Sequence, residues 1–288
     1  MTATVTNGVG CQSGGVRGAC RPERRQTTPS AGLDPAEARS STVDIAVIGT
    51  GNIGSELARA LAVADHDVIL ANSRGPESLH ELAADLQARA ATVDDAVAQA
   101  DVVVLSIPFA AIPGLGQTLR RAPASTIIVE MSNYYPLAGV IEGVDDAAST
   151  STWLSRQIGR PVLKAWNTIF SRSLSLKGRA PGQSDRVALP VAGDDPEDKK
   201  VVMQLVEDTG FEAVDAGTLA DSWRMQPGSP VYCTDLDATA LRAALARADR
   251  TRMPHDRDAQ IRAAYNPENG GVGIDMVNGV QIYRDITQ

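Results

Sequence analysis

The chain has 288 residues, 43% of them hydrophobic and 22% charged, which is enough to bury one or two substantial cores. A formal net charge of −8 argues against a nucleic-acid surface, and no apolar run approaches the length of a membrane span, so neither nucleic acid nor a membrane is expected as a partner. Three cysteines, at 11, 20 and 233, form no metal-ligand spacing and no even set for disulfides, which makes a reducing cytoplasm the simplest compartment.

Residues 1–42 hold six glycines, five arginines and no run of apolar side chains, so they read as a disordered extension. Glu23, Asp34, Glu37 and the lack of amphipathic periodicity speak against an organellar leader. Order begins with the apolar run Val43 to Ile48, suited to a buried parallel strand, which enters Gly49-Thr50-Gly51-Asn52-Ile53-Gly54 and then the helix-forming Ser55 to Leu61. This is GxGxxG in its strand-turn-helix context. Gly49 makes the tight turn, Gly51 lets the backbone approach a pyrophosphate, and Gly54 lets helix and strand pack closely. The pyrophosphate would sit on free N–H groups at the positive end of the helix.

The next strand, Asp67 to Ala71, ends in Asn72-Ser73-Arg74. An NAD site would place an acid there for the ribose 2′-hydroxyl, whereas a guanidinium and a hydroxyl suit a 2′-phosphate, so NADP(H) is the expected cofactor. A helix from Pro76 to Gln87, a short strand at Ala90 to Thr92 and a helix from near Val93 follow. Asp101 to Pro108 and Thr126 to Met131 are expected as further buried strands, with candidates at Val162 to Phe170, Val187 to Ala192 and Ala213 to Asp215. Between the last two, a helix from Pro196 to Thr209 turns Val201, Val202, Leu205 and Val206 inward and stops at Gly210. Beyond Ala248 a polar stretch leads to a hairpin of Val272 to Met276 and Val280 to Tyr283 around Asn278-Gly279.

The alternation of strand and helix gives an α/β fold, a Rossmann-like, doubly wound, mostly parallel sheet, with a small C-terminal helical and hairpin extension. Three parts are expected: the disordered extension 1–42, an NADP-binding Rossmann-like domain with appended strands over 43–220, and a C-terminal helix and hairpin extension over 221–288. Ligands should gather beyond the carboxyl ends of the strands. There, Ser106-Ile107-Pro108-Phe109 would border the nicotinamide, with Phe109 packed on its ring. Asn133-Tyr134-Tyr135 and Trp166-Asn167-Thr168 close the next strands and offer Asn133, Tyr135, Trp166, Asn167 and Thr168 to a substrate. No catalytic residue and no metal ligand set stands out. His66, His80 and His255 read as structural or solvated, and Cys233 as a small buried hydrophobe. Lys164 and Asn167 are similar to the Lys-x-x-Asn pair of hydroxyacid dehydrogenases, but residues three apart on a strand point to opposite faces, so the pair is discounted. A site without a proton relay favours direct hydride transfer.

The segments Val47 to Gly54, Asn72 to Arg74, Ser106 to Phe109, Leu189 to Asp195 and Asp215 to Leu219 together resemble the NADPH-dependent reductases of the deazaflavin coenzyme F420, over about residues 43–248. The cytoplasmic domains of six-transmembrane ferric reductases are similar too. The resemblance implies a homodimer that moves a hydride between NADP(H) and a deazaflavin, a small-molecule hydride acceptor. It also implies that Thr50, Ser73 and Arg74 hold the 2′-phosphate while residues 106–109 and 166–168 flank the ring-stacking site. Asp65 stands where that family has a glycine, and the stretch from Tyr134 to Trp153 is longer and more polar than expected. A reductase of another acceptor (a flavin, an imine or a small carbonyl) and a non-catalytic NADPH-sensing module stay open.

Overall fold

Ile45 and Val47 of the first strand, β1 (Asp44–Ile48), pack into one hydrophobic cluster, and Ala46 and Ile48 into a second. Side chains alternate along a strand, so these two clusters lie on opposite faces of the sheet. A strand covered on both sides needs no polar face, which is why its sequence is unbroken apolar from Ile45 to Ile48. The computed structural model describes residues 42–136, 139–266, 271–272 and 279–287, so all but the last residue of the extension read over 1–42 lies outside the described residues.

Helix α1 (Asn52–Val63) buries Gly54, Leu57, Ala58 and Leu61 against the sheet. Asp65 adopts φ +64 in the turn that follows, the left-handed conformation a glycine would take without steric cost. Strand β2 (Asp67–Ala71) then pairs in parallel with β1, Ile45 opposite Val68. The expected helix over 76–87 is split into a 3₁₀ turn, Pro76–Leu79, and α2 (His80–Leu86). After β3 (Arg89–Ala90), Thr92 caps α3 (Val93–Gln99) by accepting from the Asp95 N–H. Next come β4 (Val102–Leu105), a 3₁₀ turn Phe109–Leu115, α4 (Gly116–Arg121) and β5 (Ile127–Glu130). The sequence reading assigned no element to the polar stretch after Tyr134, yet it contains α5 (Thr150–Ile158), opened by a Ser149/Thr152 capping box. Strand β6 (Leu163–Lys164) completes a parallel sheet of order β3-β2-β1-β4-β5-β6. Its order reverses between β1 and β4, and the crevice beyond their carboxyl ends is the place where such sheets bind ligands.

Three expectations are corrected. The strand read over 162–170 stops at Lys164 because Trp166 takes φ +53, outside extended backbone. After α6 (Ser171–Leu176), β7 (Ala188–Val191) and β8 (Glu212–Asp215) pair with each other in parallel as strands appended to the main ladder, linked to it by one antiparallel bridge, Lys164 with Ala192. Between them α7 (Pro196–Asp208) buries Val202, Leu205 and Val206, but Val201 is 37% exposed.

The third correction concerns the C-terminal part, where α8 (Ala238–Arg247) and α9 (Met253–Ala264) are followed by β9 (Tyr265–Asn266), paired antiparallel with β10 (Gly271–Val272). Residues 280–283, read as the second arm of a hairpin, lie instead in α10 (Gly279–Thr287). The buried residues Tyr283 and Thr287 are four apart, a helical spacing, whereas the alternating β-branched Val280 and Ile282 resembled a strand. Residues 273–278 of that expected hairpin lie outside the described residues.

Candidate functional site

The glycine-rich turn joins β1 to α1, and its three glycines meet different surroundings. Gly49 holds φ +102, and a Cβ there would stand 2.3 Å from the Ser106 carbonyl oxygen. A Cβ on Gly54 would stand 2.0 Å from the Gly49 carbonyl oxygen. Both positions are closed to side chains by the fold itself. Gly51 differs: it caps α1 in extended backbone (φ −75, ψ −173), and a Cβ there would meet nothing within 4 Å. The space over the helix N-terminus is therefore open, and the first-turn N–H groups of a helix have no partners within it. The positive end of the helix and the side-chain-free Gly51 suit an anionic group such as a pyrophosphate.

At the end of β2, Asn72 folds the loop on itself. Its Oδ1 accepts from the Arg74 N–H at 2.8 Å and its Nδ2 donates to Ser78 Oγ at 3.0 Å. Ser73 and Arg74 are exposed, and the Gly49 N–H donates to the Ala71 carbonyl at 2.8 Å, which brings this loop beside the glycine turn. The Asn72 amide thus shapes the loop that presents Ser73 and Arg74.

Beyond β4, β5 and β6 lies a cleft of about 380 Å³, bordered by Asn52, Ile53, residues 106–109, residues 131–133, Tyr135, Asn167, residues 169–171, Tyr232 and Cys233. No charged side chain is among them. Ser106, Ile107, Pro108, Asn133, Tyr135 and Asn167 thus stand together in one cleft wall. The Asn133 and Asn167 amides are interlocked: Asn133 Nδ2 donates to the Asn167 carbonyl and Asn167 Nδ2 to Asn133 Oδ1, both at 3.0 Å. The hydroxyls of Tyr135 and Tyr232 are hydrogen-bonded to each other. Burial is the main force holding both phenols above the ordinary tyrosine range, and it also pushes the Cys233 thiol up.

Two residues expected at this site, Trp166 and Thr168, are elsewhere, and a third, Phe109, is at its edge with its ring turned away. The Phe109 ring is 3% exposed and turned into the core against Tyr134 and Trp153, with centroids 5.6 Å away in each case. Phe109 therefore borders the cleft without offering it a free ring face. Trp166 is fully buried in the other core cluster, with Nε1 3.4 Å from Thr209 Oγ1. Thr168 is 3% exposed and absent from the cleft wall; its carbonyl accepts from the Cys233 N–H at 2.9 Å. Aromatic and hydroxyl residues at strand ends were read as facing a ligand, but burying a large ring in the core gains more than leaving it at a wet edge.

Tyr232, Cys233, Ile169, Phe170 and Ser132 line the cleft and were missed. The one sequence signal for the first two is the short apolar run Pro230 to Cys233 within a polar stretch, too brief to be a strand. Behind Ser132 lies a wholly buried ion pair: Lys164 Nζ stands 2.6 Å from Glu130 Oε2 and donates to the Ser132 carbonyl at 2.6 Å, with both side chains at 0% exposure. The Ser132 and Ser151 hydroxyls also donate to the Glu130 carboxylate. Burial lowers the proton affinity of the Lys164 amine, and the Glu130 carboxylate counters it. Among the described residues there is no cluster of His, Cys, Asp and Glu that could hold a metal ion, and no helix long and apolar enough to cross a membrane.

Residues 44–134 match the family described as NADP oxidoreductase, coenzyme F420-dependent. The F420-dependent NADP reductase of Methanothermobacter thermautotrophicus is 30% identical over 206 residues, covering 65% of this chain and 86% of that one. The protein YjhV of Escherichia coli strain K12 is 44% identical over 77 residues, 25% of this chain, and the match spans 56% of YjhV's own length. Among solved structures, the hypothetical protein SMa0349 from Sinorhizobium meliloti superposes with a TM-score of 0.59 at 30% identity, covering 70% of this chain and 98% of that one.

Proposed function

The chain belongs to the F420-dependent NADP oxidoreductase family, and from that premise we propose that it moves a hydride between NADP(H) and the ring of a deazaflavin such as coenzyme F420. The observation that carries this reading is the cleft itself, which adjoins the glycine turn and has no charged side chain in its wall. Bound NADP(H) would supply or take up the hydride. Gly49, Thr50, Gly51, Asn52, Ile53 and Gly54 hold the pyrophosphate over α1, and Ser73 and Arg74 hold the 2′-phosphate. Ser106, Ile107 and Pro108 border the nicotinamide, while Asn133, Tyr135 and Asn167, joined by Tyr232, hold the acceptor ring. A carbonyl or imine gains a proton along with its hydride and needs a positioned acid. A deazaflavin spreads the charge over its fused rings and can take its proton from water. Burial makes Tyr135 and Tyr232 reluctant donors, which favours the acceptor that needs none. A homodimer and a cytoplasmic setting belong to the same proposal.

Stopped-flow absorbance of the protein with NADPH and oxidised F420, with FMN in parallel, tests this. Bleaching of the deazaflavin and not of FMN is expected; NADPH binding with no bleaching of either would overturn it. One observation favours a second reading, the Tyr135–Tyr232 hydroxyl pair at the cleft wall. Were a small carbonyl or imine reduced instead, Tyr135→Phe would lower kcat for that compound while leaving NADPH affinity unchanged.

A further inference from the structure

Asn167 borders the cleft and is 2% exposed. Its neighbours fix which way its amide faces. The Met225 carbonyl can only accept, and it takes one Asn167 Nδ2 hydrogen at 2.8 Å. The other goes to Asn133 Oδ1 at 3.0 Å. Asn133 cannot reverse its own amide to suit a flipped Asn167, because its Nδ2 donates to the Asn167 backbone carbonyl at 3.0 Å. A flipped Asn167 would also set Oδ1 against the Met225 carbonyl, acceptor against acceptor. With both hydrogens committed, Asn167 Oδ1 is left buried with no partner among the described residues. Buried amide oxygens are seldom left so, and an orphan beside a ligand cleft calls for a donor from the ligand. Backbone geometry holds this arrangement in place: Trp166 at φ +53 turns the chain after β6, and its buried indole anchors the turn.

We propose that Asn167 Oδ1 determines specificity by accepting a hydrogen bond from a planar amide N–H of the bound ligand, so that the site selects a molecule carrying a lactam, imide or carboxamide N–H. The proposal rests on the oxidoreductase reading above and names the chemistry its cleft recognises. Asn133 has one Nδ2 hydrogen beyond the one given to the Asn167 carbonyl, so the amide pair offers an acceptor and a donor, the complement of an amide's N–H and C=O. Two sources provide that edge in this reaction: the imide N–H of a deazaflavin ring and the carboxamide of the nicotinamide.

Direct binding, without turnover, separates them. The full chain would be titrated by fluorescence and calorimetry with the 8-hydroxy-5-deazaflavin ring compound and its N3-methyl derivative, and with NADPH and its 3-acetylpyridine analogue, which lacks the carboxamide N–H. One of the two altered compounds should bind wild-type protein roughly 10- to 100-fold more weakly than its parent, and that compound identifies the source. In Asn167→Leu, which removes the acceptor without opening space for a methyl group, the parent should weaken until the pair agrees within about threefold. Asn167→Ala serves if the leucine variant does not fold. Equal binding of parent and altered compound in both pairs overturns the proposal with wild-type protein alone. If the deazaflavin fails to bind while NADPH binds, the acceptor reading falls, and the NADPH pair alone decides the role of Asn167.

Discussion

Three glycines of one turn answer to different constraints, and substitution separates them. Gly49 and Gly54 are fixed by backbone within 2.3 Å and 2.0 Å of a would-be Cβ, so side chains there disrupt the fold. Gly51 has open space and extended backbone, so nothing in the protein itself forbids a side chain there. Gly51→Val should therefore keep the fold, losing about 1 kcal/mol at most for a poorer helix cap, yet weaken NADPH by more than roughly 100-fold. Fluorescence titration of NADPH alongside a thermal melt checks both halves, and retained affinity would remove the pyrophosphate from this turn. The constraints on Gly49 and Gly54 were legible in the sequence because a glycine spacing states backbone constraints directly. Phe109 and Trp166 were not, since a sequence places an aromatic ring at a strand end without saying which way it turns. That is decided by the left-handed turn at Trp166 and by the rings of Tyr134 and Trp153 around Phe109.

At the scale of elements, the pairing of β5 with β6 sets Glu130 opposite Lys164 in register. Both side chains are fully buried and meet at 2.6 Å, beneath the Ser132 wall of the cleft. Removing one partner of such a pair strands the other, whereas removing both charges leaves nothing to desolvate. Lys164→Met should cost about 3–5 kcal/mol in urea denaturation, and adding Glu130→Gln should restore most of it, because the glutamine oxygen still accepts from Ser132 or Ser151. A double variant as unstable as the single one would show that the pair is not the coupled unit described. The long strands and helices of this sheet could be read from hydrophobic period alone. The Glu130–Lys164 contact could not, because β6 is only two residues long and ends just before the left-handed Trp166, too short to show a period or a register. Short elements such as α10 were misread for a related reason, since a few alternating β-branched residues carry too little period to tell a strand from a helix.

At the scale of the whole molecule, the glycine turn is not an appendage to the fold. Its strand contributes to both hydrophobic clusters, and the Gly49 N–H and the Ser106 N–H tie the turn to the ends of β2 and β4. A ligand held there binds only when the central sheet is formed, so its binding free energy adds to the stability of the sheet. At a concentration of roughly one hundred times its dissociation constant, NADPH should add about 2.7 kcal/mol. For a cooperative unit of this size that corresponds to a rise in Tm of about 5–10 °C. NADH at the same concentration should raise Tm far less, because Ser73 and Arg74 would meet a 2′-hydroxyl in place of a phosphate. A charge-assisted hydrogen bond contributes about 1.5–3 kcal/mol, so Arg74→Ala should erase most of the difference between the two nucleotides and leave the shift from NADH unchanged. Differential scanning fluorimetry of both proteins with both nucleotides measures this. Equal shifts for NADPH and NADH in wild-type protein would place the 2′-phosphate away from Arg74, while a shift with neither would count against nucleotide binding at the glycine turn altogether.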